Sequence, residues 1–316
     1  MPLLTENVDT REEIGWPEAS ASAPVRKISG KRSGSFDSWP PKPALFATCA
    51  NPGCQTGWLH LWRSRTRPIF EEAWTCSAEC TEAQMASAVA RELRDGGTER
   101  AGHRPRIPIG LVLMEEGWIT HAQLHAALEA QKRAGTGRLG QWLIEQRAAD
   151  EATITRALGL QWSCPVLSIE RHDRLSMAAM LPRLFVDAYG ALPLRAAGRS
   201  VLYLAFEERP DPILALALRK MTGLRVENGI VQESLFRQAH ARMLDTEFPS
   251  VTLIEAVSAR AAAHSLACAV ERSRPASARL VRLRDFLWLR MSLRLQQGPI
   301  PAAADVEDVI CTLGWV

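Results

Sequence analysis

No uninterrupted apolar run in these 316 residues approaches the length needed to cross a bilayer. The N-terminus, MPLLTENVDTREEIG, lacks the basic-then-apolar order of a secretory signal, so a cytoplasmic protein without membrane insertion is expected. Charge of one sign is scarce as well: the formal net charge is +3, scattered rather than gathered into a basic stripe, which argues against nucleic acid as the main partner. Signatures of common catalytic sites are missing. There is no G-x-S-x-G, no H-E-x-x-H, no G-x(4)-G-K-[ST] phosphate loop and no carboxylate pair at a convincing spacing, so the chain reads as non-enzymatic.

What is present suits a soluble protein of two or three small domains: 47% of the residues are hydrophobic and 23% charged. Residues 1–44 are rich in Ser, Pro, Gly and charge and read as a disordered tail. Residues 45–95 read as a small separate module ending in a helix, TEAQMASAVARELRD, and GGTERAGHRPRIP reads as a linker. Beyond residue 167 the pattern alternates. PVLSI, ALPLRAA, SVLYLAF and LRVENGIV read as strands, while PRLFVDAYG, DPILALALRKMTG and ESLFRQAHARMLD read as helices, giving an α/β domain over 168–245. Residues 250–316 read as an α+β segment of unassigned role. It has a long helix, TLIEAVSARAAAHSLACAVERS, a hairpin broken at Arg284-Asp285, and a short terminal helix.

Four of the seven cysteines form two tight pairs. Cys49 and Cys54 enclose four residues, Cys76 and Cys80 enclose three, and twenty-one separate the pairs. Two short chelate loops bring four thiolates around a tetrahedral ion, so a structural Zn2+ is expected. Asn51-Pro52-Gly53 supplies turn residues to the first loop, and CSAEC opens a helix, as in treble-clef-like fingers. His60 reads as a packed or surface histidine rather than a ligand. The surrounding WLHLWRSRTRP is compatible with base stacking but reads better as core tryptophans alternating with solvated arginines. His121 and His125, four apart on a helix, lack a third ligand and read as a solvated pair.

Residues 106–167 repeat themselves. Gly110, Leu113, Gly117, Leu124, Leu128 and Gln131 recur thirty residues later as Gly140, Leu143, Arg147, Ile154, Leu158 and Gln161. The template is R-x-G-x-x-L-x(3)-G-x(6)-L-x(3)-L-x(2)-Q. Arg138 heads the second copy; Pro108 stands at the first copy's arginine position, with Arg106 two residues upstream. Thr120 and Asp150 sit where helix caps are needed, so each copy reads as helix, turn, helix. The leucine spacing is what any amphipathic helix needs for its core; the Arg-x-Gly head is the more specific signal. Glycine allows close backbone approach, a helix start offers free N–H groups, and arginine is a planar fork for phosphate or guanine.

On these residues the stretch from Arg106 to Asp245 resembles the N-terminal domain of type II secretion and type IV pilus assembly ATPases, called MshEN in its cyclic di-GMP-binding form. The resemblance implies a nucleotide site drawn from Arg106, Gly110, Leu113, Gly117, Leu124, Leu128, Gln131, Arg138, Gly140, Leu143, Ile154, Leu158 and Gln161. Secretion ATPases continue into a motor domain with a phosphate loop, for which this chain leaves no room. The expectation is therefore an α+β multidomain protein: a zinc-binding module, tandem helix-turn-helix repeats packed with a small α/β domain, and the C-terminal segment. Its role would be regulatory or adaptor, with cyclic di-GMP as ligand. The alternatives are an interaction scaffold that docks onto secretion or pilus machinery without nucleotide, and a zinc-finger nucleic-acid reader.

Overall fold

Helices and strands follow the hydrophobic periodicity of the chain in most places. The computed structural model describes residues 49–55, 68–95, 106–170, 172–198, 200–296 and 298–313. The tail, His60 and most of the linker lie outside the described residues.

A two-residue hairpin, β1 (Ile69–Phe70) and β2 (Ala73–Trp74), leads into α1 (Ala78–Asp95). Four helices follow: α2 (Ile109–Glu115), α3 (His121–Ala134), α4 (Leu139–Glu145) and α5 (Glu151–Trp162). Then come α6 (Arg174–Ala178), α7 (Arg183–Ala188), β3 (Ala191–Ala197), β4 (Val201–Phe206), α8 (Pro212–Thr222), β5 (Arg225–Ile230) and α9 (Glu233–Leu244). The remainder is β6 (Ser250–Glu255), α10 (Ala259–Ser273), β7 (Ser277–Leu283), β8 (Phe286–Ser292) and β9 (Val306–Thr312). Among the described residues the chain is thus mixed α/β with two sheets. Among the described residues no helix is long and apolar enough to cross a membrane.

Local chemistry explains several boundaries. At α8, Asp211 Oδ1 accepts from the N–H groups of Ile213 and Leu214, Pro212 occupies the first turn, and Gly223 closes the helix at φ 74°. The long helix expected from residue 252 begins only at Ala259, where Ser258 Oγ accepts from Ala261 N–H. The β-branched Val251, Thr252 and Ile254 before it pair instead with β9. The expected terminal helix is also replaced: only Ala303–Asp305 makes a 3-10 turn, and Val306–Thr312 is a strand. There β8 offers an open row of backbone groups that β9 satisfies in antiparallel register. PVLSI forms no strand. Val166 makes an isolated bridge to Ile230, and Pro165 has no N–H to donate.

The three-stranded sheet runs β3-β4-β5, and the six-stranded one β2-β1-β7-β8-β9-β6. Because strand side chains alternate, the larger sheet buries both faces. Val281, Leu283, Trp288 and Ile310 join the core of the β3–β5 unit, with Phe185, Phe206 and Phe236. Leu280, Leu287, Leu289 and Cys311 point the other way, toward α10 and α1. On the first face lies a buried ion pair. Arg290 donates Nε and Nη2 to the two Asp308 oxygens, each at 2.8 Å, Trp288 Nε1 donates to Asp308 Oδ1 at 2.7 Å, and Arg290 Nη1 reaches the Met180 carbonyl.

The cysteine-bearing segment is not the separate module expected. β1 pairs in parallel with β7, Phe70 is fully buried, and the apolar face of α1 packs along α10. A two-residue hairpin cannot bury Met85, Ala88 and Val89 by itself. The C-terminal segment supplies the surface that does.

Candidate functional site

The turns after the first helix of the two copies make the same backbone hydrogen bonds at a spacing of thirty residues. After α2, Glu116 N–H donates to Val112 O, Gly117 to Met114 O, and Trp118 and Ile119 to Leu113 O. After α4, Gln146 donates to Trp142 O, Arg147 to Ile144 O, and Ala148 and Ala149 to Leu143 O. Gly117 (φ 69°) and Arg147 (φ 56°) occupy the same left-handed position. A Cβ at Gly117 would meet no atom within 4 Å, so what disfavours a side chain at this turn position is backbone strain rather than lack of space, and Arg147 carries that strain. The following helices are capped as expected: Thr120 and Gln123 form a capping box, and Asp150 Oδ1 accepts from Thr153 N–H at 2.7 Å. Hydrogen bonds from Thr153 hold the Asp150 carboxyl below the ordinary aspartate value.

Most motif positions pack the copies together. Leu113 and Leu143 are fully buried, and Leu124 and Ile154 nearly so. The close approach that each glycine permits is to the helix that follows. A Cβ on Gly110 would stand 2.8 Å from Leu124 Cδ1, and one on Gly140 2.9 Å from Ile154 Cγ2. Leu158 rests against this cluster, whereas Leu128 is 44% exposed. The glutamines cross between copies: Gln131 Nε2 donates to Gly137 O just before Arg138, and Gln161 Nε2 to Ile107 O just before Pro108. Accordingly α3 packs on α4, and α2 on α5.

The copies differ at their heads. Arg138 N–H donates to Gln141 Oε1. Pro108 has no N–H, and Leu111 stands where an acceptor would otherwise be useful.

The charged side chains left outside are the arginines at the heads of the copies. Arg138 Nη2 makes an exposed ion pair with Glu208 Oε1. The next residue, Arg209, lies 5.1 Å from the centre of the Trp162 ring, over which the Arg106 guanidinium stacks at 3.6 Å. Desolvation, then the charge of Arg209, holds Arg106 below its ordinary pKa. Arg138 therefore meets the loop after β4 directly, and Arg106 shares the Trp162 ring with Arg209 of that loop. Leu128, Gln131, Lys132 and Gly137 line a nearby open groove of about 530 Å³. Sequence reasoning missed Trp162, Glu208 and Arg209. Trp162 directly follows the last motif glutamine and was the one with a readable signal.

The four cysteines converge. All four Sγ atoms lie within 4.8 Å of one another, with Cys54 to Cys76 at 3.5 Å and Cys76 to Cys80 at 3.7 Å. A tetrahedron of metal–sulfur bonds about 2.3 Å long has edges of about 3.8 Å, so the donor set fits one ion. The first loop is shaped by Asn51, whose Oδ1 accepts from Gly53 N–H while Nδ2 donates to Cys80 Sγ at 3.3 Å. Burial pushes the Cys49 thiol up to about 12. Behind the cluster, Thr81 Oγ1 donates to Glu271 Oε1 at 2.6 Å and ties the start of α1 to α10. His121 and His125 stack with ring centres 6.5 Å apart and join no metal-binding group among the described residues.

No family model and no curated protein matches the chain. Among solved structures it is similar to that of MshE with cdg, at 29% identity and a TM-score of 0.36, over 44% of this chain and 99% of that one. It is also similar to the N-terminal domain of XpsE, at 17% identity and a TM-score of 0.29, over 42% of this chain and 92% of that one. Both likenesses cover less than half of the present chain.

Proposed function

We propose that this is a non-enzymatic regulatory or adaptor protein whose paired repeats bind cyclic di-GMP and pass its presence to the α/β body. The observation that carries the reading is a cluster around Trp162 and the Glu208-Arg209 loop, in which Arg138 pairs with Glu208 and the Arg106 and Arg209 guanidinium groups both lie over the Trp162 ring. A cyclic dinucleotide presents two phosphodiesters and two planar bases. Guanidinium forks suit the first, and an indole face bordered by arginine suits the second. The Arg138–Glu208 pair is exposed, and such pairs contribute only about 0–1 kcal/mol. A phosphate can therefore take Arg138 from Glu208 at little cost, and that exchange alters the link between repeats and body, biasing the population of their arrangements.

The Cys49, Cys54, Cys76 and Cys80 cluster would hold a structural Zn2+, since four sulfur donors leave no position for substrate. Metal analysis of the purified chain should find about one zinc per molecule, and Cys76→Ser should lose it.

Calorimetric titration of cyclic di-GMP into the full chain tests the ligand, with Arg138→Ala, Arg106→Ala and linear diguanylate alongside. Saturable binding weakened in both variants supports the reading; absence of heat and of any thermal shift refutes it. One observation favours a second reading. Gly110, Gly140, Gln131, Gln161, Leu113 and Leu143 all serve packing between helices, so the motif would persist in a scaffold that docks onto secretion or pilus machinery without nucleotide.

A further inference from the structure

On the outer face of α10, every fourth residue forms a stripe: Arg260, His264, Cys268 and Arg272, all exposed. Of the seven cysteines, Cys268 is the exposed one. Its Sγ lies 3.7 Å from His264 Nε2. The other ring nitrogen, Nδ1, lies 3.2 Å from Glu82 Oε2 on the neighbouring helix α1. A carboxylate at Nδ1 draws the ring proton to that side, which leaves the Nε2 lone pair facing the thiol. The order carboxylate, imidazole, thiol is the arrangement that activates a sulfur nucleophile. Arg272, one helical turn beyond Cys268, and Arg260, one turn before His264, provide an anion-attracting approach to the pair.

Elsewhere the thiols are shielded. Burial pushes the Cys164 thiol up to about 11 and raises that of Cys311, and the remaining four face one another in the cluster behind Asn51. The backbone N–H groups around mid-helix Cys268 are spent on the helix and form no oxyanion hole. Acyl transfer is therefore poorly served. Thiol–disulfide exchange needs no such donors.

We propose that Cys268 is a thiol-exchange site at which a small anionic disulfide forms a mixed disulfide with the protein, His264 acting as the base and Glu82 as the residue that positions it. In the step, Cys268 Sγ bonds to one sulfur of the incoming disulfide while that disulfide's S–S bond breaks. The electron pair of the broken bond leaves on the second sulfur. The Cys268 proton passes to His264 Nε2 and from there to the departing thiolate, so that one thiol is consumed and one released. Arg260 and Arg272 receive the carboxylates of the reagent.

The experiment uses the zinc-loaded full chain and oxidised glutathione, with remaining thiols trapped by N-ethylmaleimide and peptides mapped by mass. Cys268 should be modified first, at least about tenfold faster than Cys164, and His264→Gln should slow it by at least about tenfold without moving the melting temperature. Glu82→Leu should slow it similarly, whereas Glu82→Gln, whose amide oxygen still accepts from Nδ1, should restore most of the rate. In the unmodified sequence, cationic cystamine should react more slowly than glutathione disulfide, and Arg260→Gln with Arg272→Gln should abolish that preference. Preferential modification of another cysteine, an unchanged rate in a folded His264→Gln variant, or faster reaction with cystamine would each overturn the assignment.

Discussion

Replacing Arg147 by glycine should make the protein more stable, although it removes a long charged side chain and adds no contact. Arg147 holds φ 56° at the turn between α4 and α5, and its counterpart Gly117 holds φ 69° with the same backbone hydrogen bonds. A left-handed backbone costs a residue with a Cβ about 1–2 kcal/mol. Glycine returns part of this by giving the unfolded chain about 0.4–1 kcal/mol of extra freedom. The net expectation is about 0.5–1 kcal/mol in favour of Arg147→Gly, and a similar loss for Gly117→Ala. For a chain of this size that corresponds to roughly 1–3 °C in melting temperature. Urea titration at fixed zinc content, read by tryptophan fluorescence, gives the free energies directly. A fall in stability for Arg147→Gly would refute the backbone account. A large loss of cyclic di-GMP affinity in that variant would show that Arg147 acts on ligand rather than on the turn.

Gly140→Ala should cost about 1–3 kcal/mol of unfolding free energy, because the new methyl would meet the stiff, branched Ile154 at 2.9 Å. Gly110→Ala should cost less, since the clashing atom is the flexible end of Leu124 and alanine favours the helix; equal losses in chemical denaturation would contradict this. Asp308→Ala should destabilise by about 3–5 kcal/mol, as it leaves the buried Arg290 without its partner, and a loss under 1 kcal/mol would remove the pair from any role in joining the layers. The Asp150 cap contributes stability above the ordinary aspartate pKa and loses it as pH falls through the depressed folded value. Acid unfolding of Asp150→Asn should lack that contribution, and identical acid profiles would contradict the sign.

Local chemistry was legible wherever a few adjacent residues decide it. Thr120 and Asp150 as caps, the hairpin at Arg284-Asp285, and helix α8 between Asp211 and Gly223 all follow from backbone groups satisfied within one turn of chain. The cysteine cluster was legible for a related reason, because two short loops leave few ways to place four sulfurs. Misread stretches were those whose fate hangs on distant partners. Val306–Thr312 is a strand because β8 lies open beside it, and Val251, Thr252 and Ile254 leave the expected helix because β9 accepts them.

By itself, then, the sequence determined the doubled helical unit, its turns and caps, and the identity of the clustered cysteine quartet, since these rest on short-range geometry and on spacing that repeats. Only the tertiary structure decided that the cysteine segment shares a core with residues 250–313. It also decided that Gly110 and Gly140 face leucine and isoleucine, that Arg138 pairs with Glu208, and that Arg106 stacks on Trp162. Side chains dozens of residues apart come together because both faces of the larger sheet must be buried, and no local pattern in the chain states which helices will cover them.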